Sequence, residues 1–195
     1  MARHSTMVCQ VCRLQPHCLD PAPSLAITAE IIWQEAGTIL LSYGVLPVGD
    51  RKAAEPLDQQ LVGPWQWGCP QGQRRDQLWQ HTCFEAFLGL PGSEAYWELN
   101  VSPGGDWNLY RFSGYRRDGL AEMAAVPPLV SIKRQGLGLR CTVQLDPRGF
   151  WPASAVPEIG LTMVAEDPTG ALSYWALSHP GDQADFHDRR SFLVP

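Results

Sequence analysis

Lysine is scarce in this chain, because only Lys52 and Lys133 occur among its 195 residues. Lysine and arginine together number 15, against 20 aspartates and glutamates, which gives a formal net charge of −5. Non-specific binding to a phosphate backbone requires a broad cationic surface. Nucleic acid is therefore not an expected partner.

Long apolar runs are also absent from the sequence. No uninterrupted stretch approaches the roughly 20 residues that a membrane-spanning helix requires, so no membrane span is expected. Polar side chains interrupt residues 7–12, where a secretory signal would need an apolar core. The sequence therefore favours a cytoplasmic location.

The six cysteines form no clear metal motif. Cys9 and Cys12 are separated by two residues and are followed by His17 and Cys18, which superficially resembles a zinc knuckle. However, residues 7–14 alternate like an edge strand, which would turn Cys9 and Cys12 to opposite faces of a sheet. A structural role is favoured, with a zinc site or an N-terminal disulfide as alternatives.

Seventeen prolines and eighteen glycines divide the chain into short segments, few of which have a helical period. Alternating patterns predict strands over residues 25–34, 38–45, 83–89, 95–102, 107–115, 129–134, 139–145, 158–165 and 172–178, with 191–194 as a further candidate. The chain has no amphipathic helices long enough for crossovers, which favours antiparallel pairing. The prediction is an all-β fold: one antiparallel β-sandwich domain over residues 1–195, with at most one or two short helical turns.

The segment 78–119 is the most informative part of the sequence, because its alternation separates two kinds of side chain. One set is apolar and predicts a core stripe: Phe84, Ala86, Leu88, Trp97, Leu99 and Val101. The other set is polar or aromatic and predicts a second face: Glu85, Tyr96, Glu98, Asn100, Asn108 and Tyr110. Arg111, on a nearby strand, is expected to compensate the like charges of the two glutamates.

This second face has two interpretations. Carboxylates, amides and aromatic rings at alternating strand positions are typical of a sugar-binding surface, because hydroxyl groups need polar partners and sugar rings stack on aromatic planes. A solvated sheet exposes the same residue types without any ligand. Trp79, Trp107 and Trp175 are the candidates for stacking on a ligand, provided that they do not belong to the core.

Four blocks of sequence carry a family resemblance. WQHTCFEAFL at 79–88 and YWELNVSPGGDWN at 96–108 resemble the DOMON-like domains related to family 9 carbohydrate-binding modules. YWALSHP at 174–180 and DFH at 185–187 are similar to the bacterial members of that group. The resemblance implies a jelly-roll-like β-sandwich that binds a ligand without catalysis. A small polar ligand, with carbohydrate preferred, is the expected partner.

A polar loop near the C-terminus offers weak candidates for a metal site: His179, Asp182, Asp185 and His187. Oxygen ligands at this density could hold Ca²⁺, and two histidines with an aspartate could hold a transition metal. Their spacing matches no metal motif. The alternative is that these residues fasten the loop to the sandwich by hydrogen bonds.

Haem binding and catalysis are the remaining alternatives. Met163, His81, His179 and His187 are axial-ligand candidates by residue type only, and no Cys-x-x-Cys-His motif occurs. Glu85 and Glu98 could form a glycosidase-like pair, but no nucleophile elbow, phosphate loop or zincin motif accompanies them. We therefore expect no enzyme. A haem-binding domain and a protein-interaction sandwich without a small ligand stay open.

Overall fold

The computed structural model describes residues 6–18, 24–34, 37–48, 57, 61, 72–152 and 155–194. Its strands are β1 (Thr6–Arg13), β2 (Gln15–Pro16), β3 (Leu25–Gln34), β4 (Ile39–Pro47), β5 (Cys83–Gly89), β6 (Tyr96–Val101), β7 (Trp107–Phe112), β8 (Leu120–Ala121), β9 (Leu129–Gln135), β10 (Gly138–Leu145), β11 (Glu158–Glu166) and β12 (Leu172–Ala176). Two 3₁₀ turns cover Leu78–Gln80 and Arg189–Ser191, and Leu57 also has helical backbone conformation. No helix in the described part of the chain is long and apolar enough to cross a membrane.

The strands form two antiparallel sheets. The first has five strands in the order β1-β3-β4-β10-β9, and the second has seven in the order β2-β12-β11-β5-β6-β7-β8. In the second sheet β5, β6 and β7 are consecutive neighbours and form a meander. The prediction of an all-β antiparallel sandwich is confirmed.

One apolar core fills the space between the sheets. The five-stranded sheet contributes every second residue of β3, such as Ile27 and Ile31, and the seven-stranded sheet contributes Phe84, Leu99 and Leu161. This arrangement follows from strand geometry, since successive side chains point to opposite faces. The predicted core stripe is confirmed.

Most predicted strands lie within a few residues of the observed ones, and 25–34 and 83–89 agree at both ends. The predicted strand 191–194 is reduced to a single bridge between Leu193 and Ile159, after a 3₁₀ turn. The edge strand predicted for 7–14 is confirmed as β1. The sequence also predicts a surface loop over 50–75 and a short helical turn over 152–156, and these segments lie largely or partly outside the described residues.

Four cysteines in the described part of the chain are free thiols: Cys9, Cys12, Cys83 and Cys141. Cys83 and Cys141 are fully buried, where burial raises the pKa of both thiols. A buried neutral thiol behaves as a small apolar group. Cys69 lies outside the described residues.

The central strands of the seven-stranded sheet are buried on both faces. Every residue of β5 and of β6 is buried, although each strand alternates between apolar and polar side chains. A second apolar cluster covers the outer face, and it includes Phe87, Phe186 and Phe192. The C-terminal segment, residues 177–194, supplies Phe186 and Phe192, and it therefore covers the outer face of the seven-stranded sheet.

Arg189 fastens this C-terminal segment to the sheet. Its guanidinium donates to Glu158 on β11, at 3.0 Å from Nε to Oε2, and to the carbonyl oxygen of Leu90 at 3.2 Å. Leu193 and Ile159 exchange two backbone hydrogen bonds of 2.8 Å. Charge-assisted and backbone hydrogen bonds together fix the position of the segment.

Gly160 on β11 makes this close packing possible, because it lies directly opposite Phe87. A Cβ at this position would lie 2.8 Å from the Phe192 ring and 3.1 Å from Phe87 Cβ. We expect Gly160→Ala to lower the free energy of unfolding by about 1–3 kcal/mol, as overpacking does. Thermal unfolding checks this against Gly181→Ala, whose added Cβ would have only contacts of 3.8 Å or more. Equal stability of the two variants would contradict the prediction.

Candidate ligand pocket

A pocket of about 440 Å³ opens on the outer face of the seven-stranded sheet, and we call it the acidic pocket. Its polar lining consists of Glu85, Glu98, Arg116 and His187. Its aromatic lining consists of Trp79, Phe87, Tyr110, Phe112, Tyr174 and Phe186. The volume is within the range of about 300–1,000 Å³ that small-molecule sites occupy.

The strand register places Glu85 and Glu98 side by side on the outer face of the sheet, where they form the floor of the acidic pocket. Glu85 on β5 pairs with Asn100 on β6, which pairs in turn with Asn108 on β7. One step along the strands, Glu98 on β6 pairs with Phe87 on β5. Glu85 and Glu98 are therefore diagonal neighbours on one face, as the alternation predicts.

Glu98 is only 5% exposed and has two neighbours of different kinds. The Asn100 amide donates to its Oε1 at 2.8 Å. Nε2 of His187 lies 3.8 Å from Oε2. Burial raises the pKa of Glu98 to about 7, although the Asn100 hydrogen bond and the charge of Arg116 oppose the rise. Near neutral pH this carboxyl is therefore poised between its two protonation states.

Glu85 is more deeply buried, with 2% of its surface exposed. The Thr162 hydroxyl donates to its Oε2 at a long 3.4 Å, while Oε1 has no hydrogen-bond partner among the described residues. Burial raises the pKa of Glu85 well above its usual value, and the nearby charge of Glu98 adds to the effect. Contacts with the Thr162 hydroxyl and the Cys83 thiol act in the opposite direction on this pKa. Buried polar atoms rarely lack a partner, so Oε1, for which no hydrogen-bond geometry is satisfied, marks a vacant acceptor position.

A contact across the core supports Glu85 from behind. The Tyr43 hydroxyl, on the five-stranded sheet, donates to the backbone carbonyl oxygen of Glu85 at 2.5 Å. The Tyr43 ring also packs against Phe84, with ring centroids 5.3 Å apart. The floor of the acidic pocket is thus tied to the opposite sheet.

The C-terminal segment supplies one wall of the pocket through His187. Its Nδ1 lies 2.7 Å from the hydroxyl of Tyr96, and its ring packs edge-on against Phe87 and Phe112. Burial lowers the pKa of His187 to about 4, and the positive charge of Arg116 acts in the same direction. The imidazole is therefore neutral at neutral pH and does not compensate the charge of Glu98.

Beyond the glutamates, Asp76 organises a neighbouring hydrogen-bond network. Its Oδ1 accepts from Asn108 Nδ2 and from the Tyr110 hydroxyl, both at 2.8 Å. Arg74 donates to Asn108 Oδ1 at 3.1 Å. This network fixes the Tyr110 ring, against which Trp79 packs edge-on at 5.6 Å.

Trp79 and Tyr174 form the exposed rim of the acidic pocket. Their exposed fractions are 40% and 37%, which contrasts with the buried aromatic side chains on the floor. Aromatic rings with one face open to solvent are suited to stacking on a ligand that enters the pocket.

Three residues that the sequence suggested for ligand contact do not line the pocket. Trp107 and Trp175 are 3% exposed and belong to the core between the sheets. Arg111 lies beside Trp97, with its guanidinium 5.6 Å from the indole ring, and this places it on the opposite face of the sheet. Strand pleating explains the correction, because Trp107 and Arg111 each adjoin a residue that points outward.

Three further predicted residues support the pocket without lining it. Asn100 is fully buried and orients Glu98, and Asn108 belongs to the Asp76 network. Tyr96 lies behind His187, and burial raises the pKa of its hydroxyl to about 12. These three side chains share the predicted face, but they are covered by their neighbours.

The weak metal candidates are separated by their hydrogen bonds. His179 binds the Gln15 carbonyl oxygen at 2.9 Å, while Asp185 accepts from Arg116 at 2.9 Å and from the Tyr115 hydroxyl at 2.6 Å. Asp182 is exposed and does not line the pocket. No group of three or more His, Cys, Asp or Glu that could hold a metal ion occurs within the described ranges.

Two haem-ligand candidates lie away from the pocket lining. Met163 is completely buried in the core between the sheets. His81 faces Glu166, with 2.7 Å between Nδ1 and Oε2. Neither side chain is available to a ligand in the acidic pocket.

Several lining residues were not predicted as site residues. Phe87 and Phe112 continue the same alternation as Glu85 and Tyr110, so the period-two pattern could have identified both. Arg116 and Phe186 come from irregular segments, and the sequence suggests His187 only as a metal or haem ligand. No local pattern connects these three residues with β5 and β6.

Comparison with solved structures shows a shared fold. A protein from Bacteroides uniformis, described provisionally as carbohydrate-binding, superposes with a TM-score of 0.61 and 12% identity over 94% of this chain and 84% of the other. A family 9 carbohydrate-binding module from Caldicellulosiruptor kristjanssonii, in complex with glucose, has a TM-score of 0.46 and 11% identity over 88% and 75% of the two chains. No protein-family model matches the sequence, and a comparison with curated proteins finds no match.

Proposed function

We propose that the protein binds a small carbohydrate in the acidic pocket and catalyses no reaction on it. The vacant acceptor at Glu85 Oε1 carries this proposal, because it lies in a side chain that lines a pocket with exposed aromatic rings at its rim. Sugar hydroxyl groups are hydrogen-bond donors, and sugar rings present C–H groups to aromatic faces. The likeness in fold to a protein described as carbohydrate-binding agrees with this proposal.

The size of the pocket limits the ligand. A volume of about 440 Å³ with an aromatic rim suits one or two sugar rings rather than the length of a polysaccharide. The acidic pocket has a buried floor and two aromatic residues at its rim, whereas a long polysaccharide would require a flat binding surface. The relation to DOMON-like domains and the cytoplasmic location stay predictions.

A panel of monosaccharides and disaccharides tests the proposal by isothermal titration calorimetry, with tryptophan fluorescence as a second readout. We expect saturable binding of at least one sugar. No heat and no fluorescence change with any sugar at millimolar concentration would overturn the proposed function.

Trp79→Ala is expected to weaken sugar binding roughly ten-fold, because a stacked aromatic ring contributes about 1 kcal/mol or more. Its side chain is partly exposed at the rim, so the fold should tolerate the change. Calorimetry measures the affinity, since the substitution also removes a fluorophore. Leu129→Ala, at an exposed position on β9 of the other sheet, is the control and should bind like the unmodified protein. Equal affinities of the two variants would place the ligand elsewhere.

A further inference from the structure

We infer that the ligand of the acidic pocket carries a protonated amine, so that an amino sugar is preferred over its neutral counterpart. This inference rests on the proposed function and names the ligand class more narrowly. It comes from the balance of charge around the pocket floor, from the vacant acceptor and from the aromatic walls.

The first observation is a pair of buried carboxyl groups at the floor without an ion-pair partner among the described lysines and arginines. Glu85 and Glu98 are diagonal neighbours on adjacent strands, and no lysine or arginine in the described ranges lies within ion-pair distance of either carboxylate. Arg116 lines the pocket, but its guanidinium is paired with Asp185 at 2.9 Å. Two buried carboxyl groups without an ion-pair partner favour a ligand that carries a positive charge.

The second observation is the vacant acceptor. Glu85 Oε1 has no partner within the described chain, whereas the Glu98 oxygens face the Asn100 amide and the His187 ring. A neutral hydroxyl group donates one hydrogen bond, while an ammonium group donates three. A single ammonium group between the two carboxyl groups could therefore satisfy Oε1 of Glu85 and also bind Glu98.

The third observation is the aromatic wall around the floor. Phe87, Tyr110 and Phe112 line the pocket beside the two glutamates. The faces of aromatic rings attract cations, and this attraction strengthens where water is excluded. An ammonium group thus gains from the walls and from the floor together, whereas a hydroxyl group gains little from the ring faces.

Protonation of the site follows from the same contacts. The titratable and charged groups around the pair are Tyr43, Tyr96, Asp76, Tyr110, Cys83, Arg116, Asp185 and His187. Burial raises the pKa of both Glu85 and Glu98, so the empty site retains protons near neutral pH. A cation favours the ionised carboxylates, and an amine should therefore displace protons when it binds.

The test compares D-glucosamine, N-acetyl-D-glucosamine and D-glucose by calorimetry at pH 7. Glucosamine should bind about ten-fold or more tightly than either neutral sugar, because charge-assisted hydrogen bonds are about twice as strong as neutral ones. Titrations in two buffers of different ionisation enthalpy should show proton release with glucosamine and none with glucose. Methylamine and ethanolamine serve as amines without a sugar ring.

Glu85→Gln and Glu98→Gln should each abolish the preference for glucosamine, so that the affinities for glucosamine and glucose approach each other in each variant. Glu94→Gln is the matched control, since this glutamate is exposed and pairs with Arg117 at the surface. The Glu94→Gln variant should keep the full preference for glucosamine over glucose. Circular dichroism and the melting temperature establish that each variant is folded.

The possible results separate the two proposals. Equal affinity for glucose and glucosamine would overturn the amine inference and leave carbohydrate binding intact. A preference that survives in the double variant Glu85→Gln/Glu98→Gln would also overturn the inference, because the amine would then bind elsewhere. Binding of the simple amines with no binding of any sugar would support an amine site and overturn carbohydrate binding. The absence of all binding would overturn both proposals.

Discussion

Glu98→Gln should raise the free energy of unfolding of the ligand-free protein at pH 8 by up to roughly 3 kcal/mol. Burial raises the pKa of Glu98 from its usual 4.5 to about 7 in the folded state. Between these two values the folded protein binds more protons than the unfolded chain, so stability falls as the pH rises through this window. Above pH 7 the cost of the buried charge is fully present, and the neutral amide of glutamine removes it.

His187 has the opposite pH dependence, and this determines how the experiment is designed. Its pKa falls from the usual 6.5 to about 4 on folding, so the unfolded chain binds more protons between these values and stability rises with pH. The contributions of His187 and Glu98 therefore oppose each other from about pH 4.5 to 6.5. The effect of Glu98→Gln is best measured by comparing pH 5, where it should be small, with pH 8.

Urea unfolding at pH 5 and at pH 8 provides the measurement. Glu94→Gln is again the control, because this glutamate is exposed at the surface and does not line the acidic pocket. The stabilised Glu98→Gln variant should also lose the preference for an amino sugar. The Glu98 carboxylate destabilises the empty pocket, and the same carboxylate binds the ammonium group of the ligand. The prediction would be contradicted if Glu98→Gln were less stable than the unmodified protein at pH 8, because the Glu98 carboxylate would then stabilise the folded state.

Phe87→Ala is expected to reduce the free energy of unfolding by about 3–5 kcal/mol, the usual cost of removing a buried phenylalanine ring. The side chain is completely buried and contacts the rings of Tyr96, His187 and Phe192. Its loss would remove the ring contacts that Phe87 makes with His187 and Phe192 of the C-terminal segment. Equilibrium urea unfolding, followed by tryptophan fluorescence, measures the change.

Phe84→Ala is a matched control on the same strand. Phe84 is 1% exposed, and its side chain lies in the core between the sheets, on the opposite face of the sheet from the acidic pocket. Both variants should lose comparable stability, but only Phe87→Ala should alter ligand affinity. Should either alanine variant fail to fold, Phe87→Leu and Phe84→Leu make the same comparison with a smaller cavity. Equal effects of both leucine variants on ligand affinity would contradict a specific role of Phe87 in the pocket.

The strands and their two faces could be predicted from the sequence because alternation with period two is a local property. The pairing of Glu85 with Asn100 follows from this alternation together with the short turn between β5 and β6. The same rule argues against Trp107 and Arg111 as ligand contacts, since each is adjacent in sequence to an outward-facing residue.

The burial of the polar face could not be predicted from local pattern. Glu85, Glu98 and Asn100 have the alternation of a solvated sheet face, but residues more than eighty positions later cover them. The segment that carries Phe186 and His187 has no helical or strand period. Its position depends on Arg189 and on the single bridge at Leu193, which are long-range contacts.

The acidic pocket has a floor and a wall of different origin. The floor belongs to a hydrogen-bonded sheet that Tyr43 ties to the opposite layer, whereas the wall comes from an irregular segment held at a few points. Irregular segments accept substitutions more readily than strands do. Related proteins could therefore diversify in specificity by exchanging this wall, while inheriting an unchanged pair of floor carboxylates.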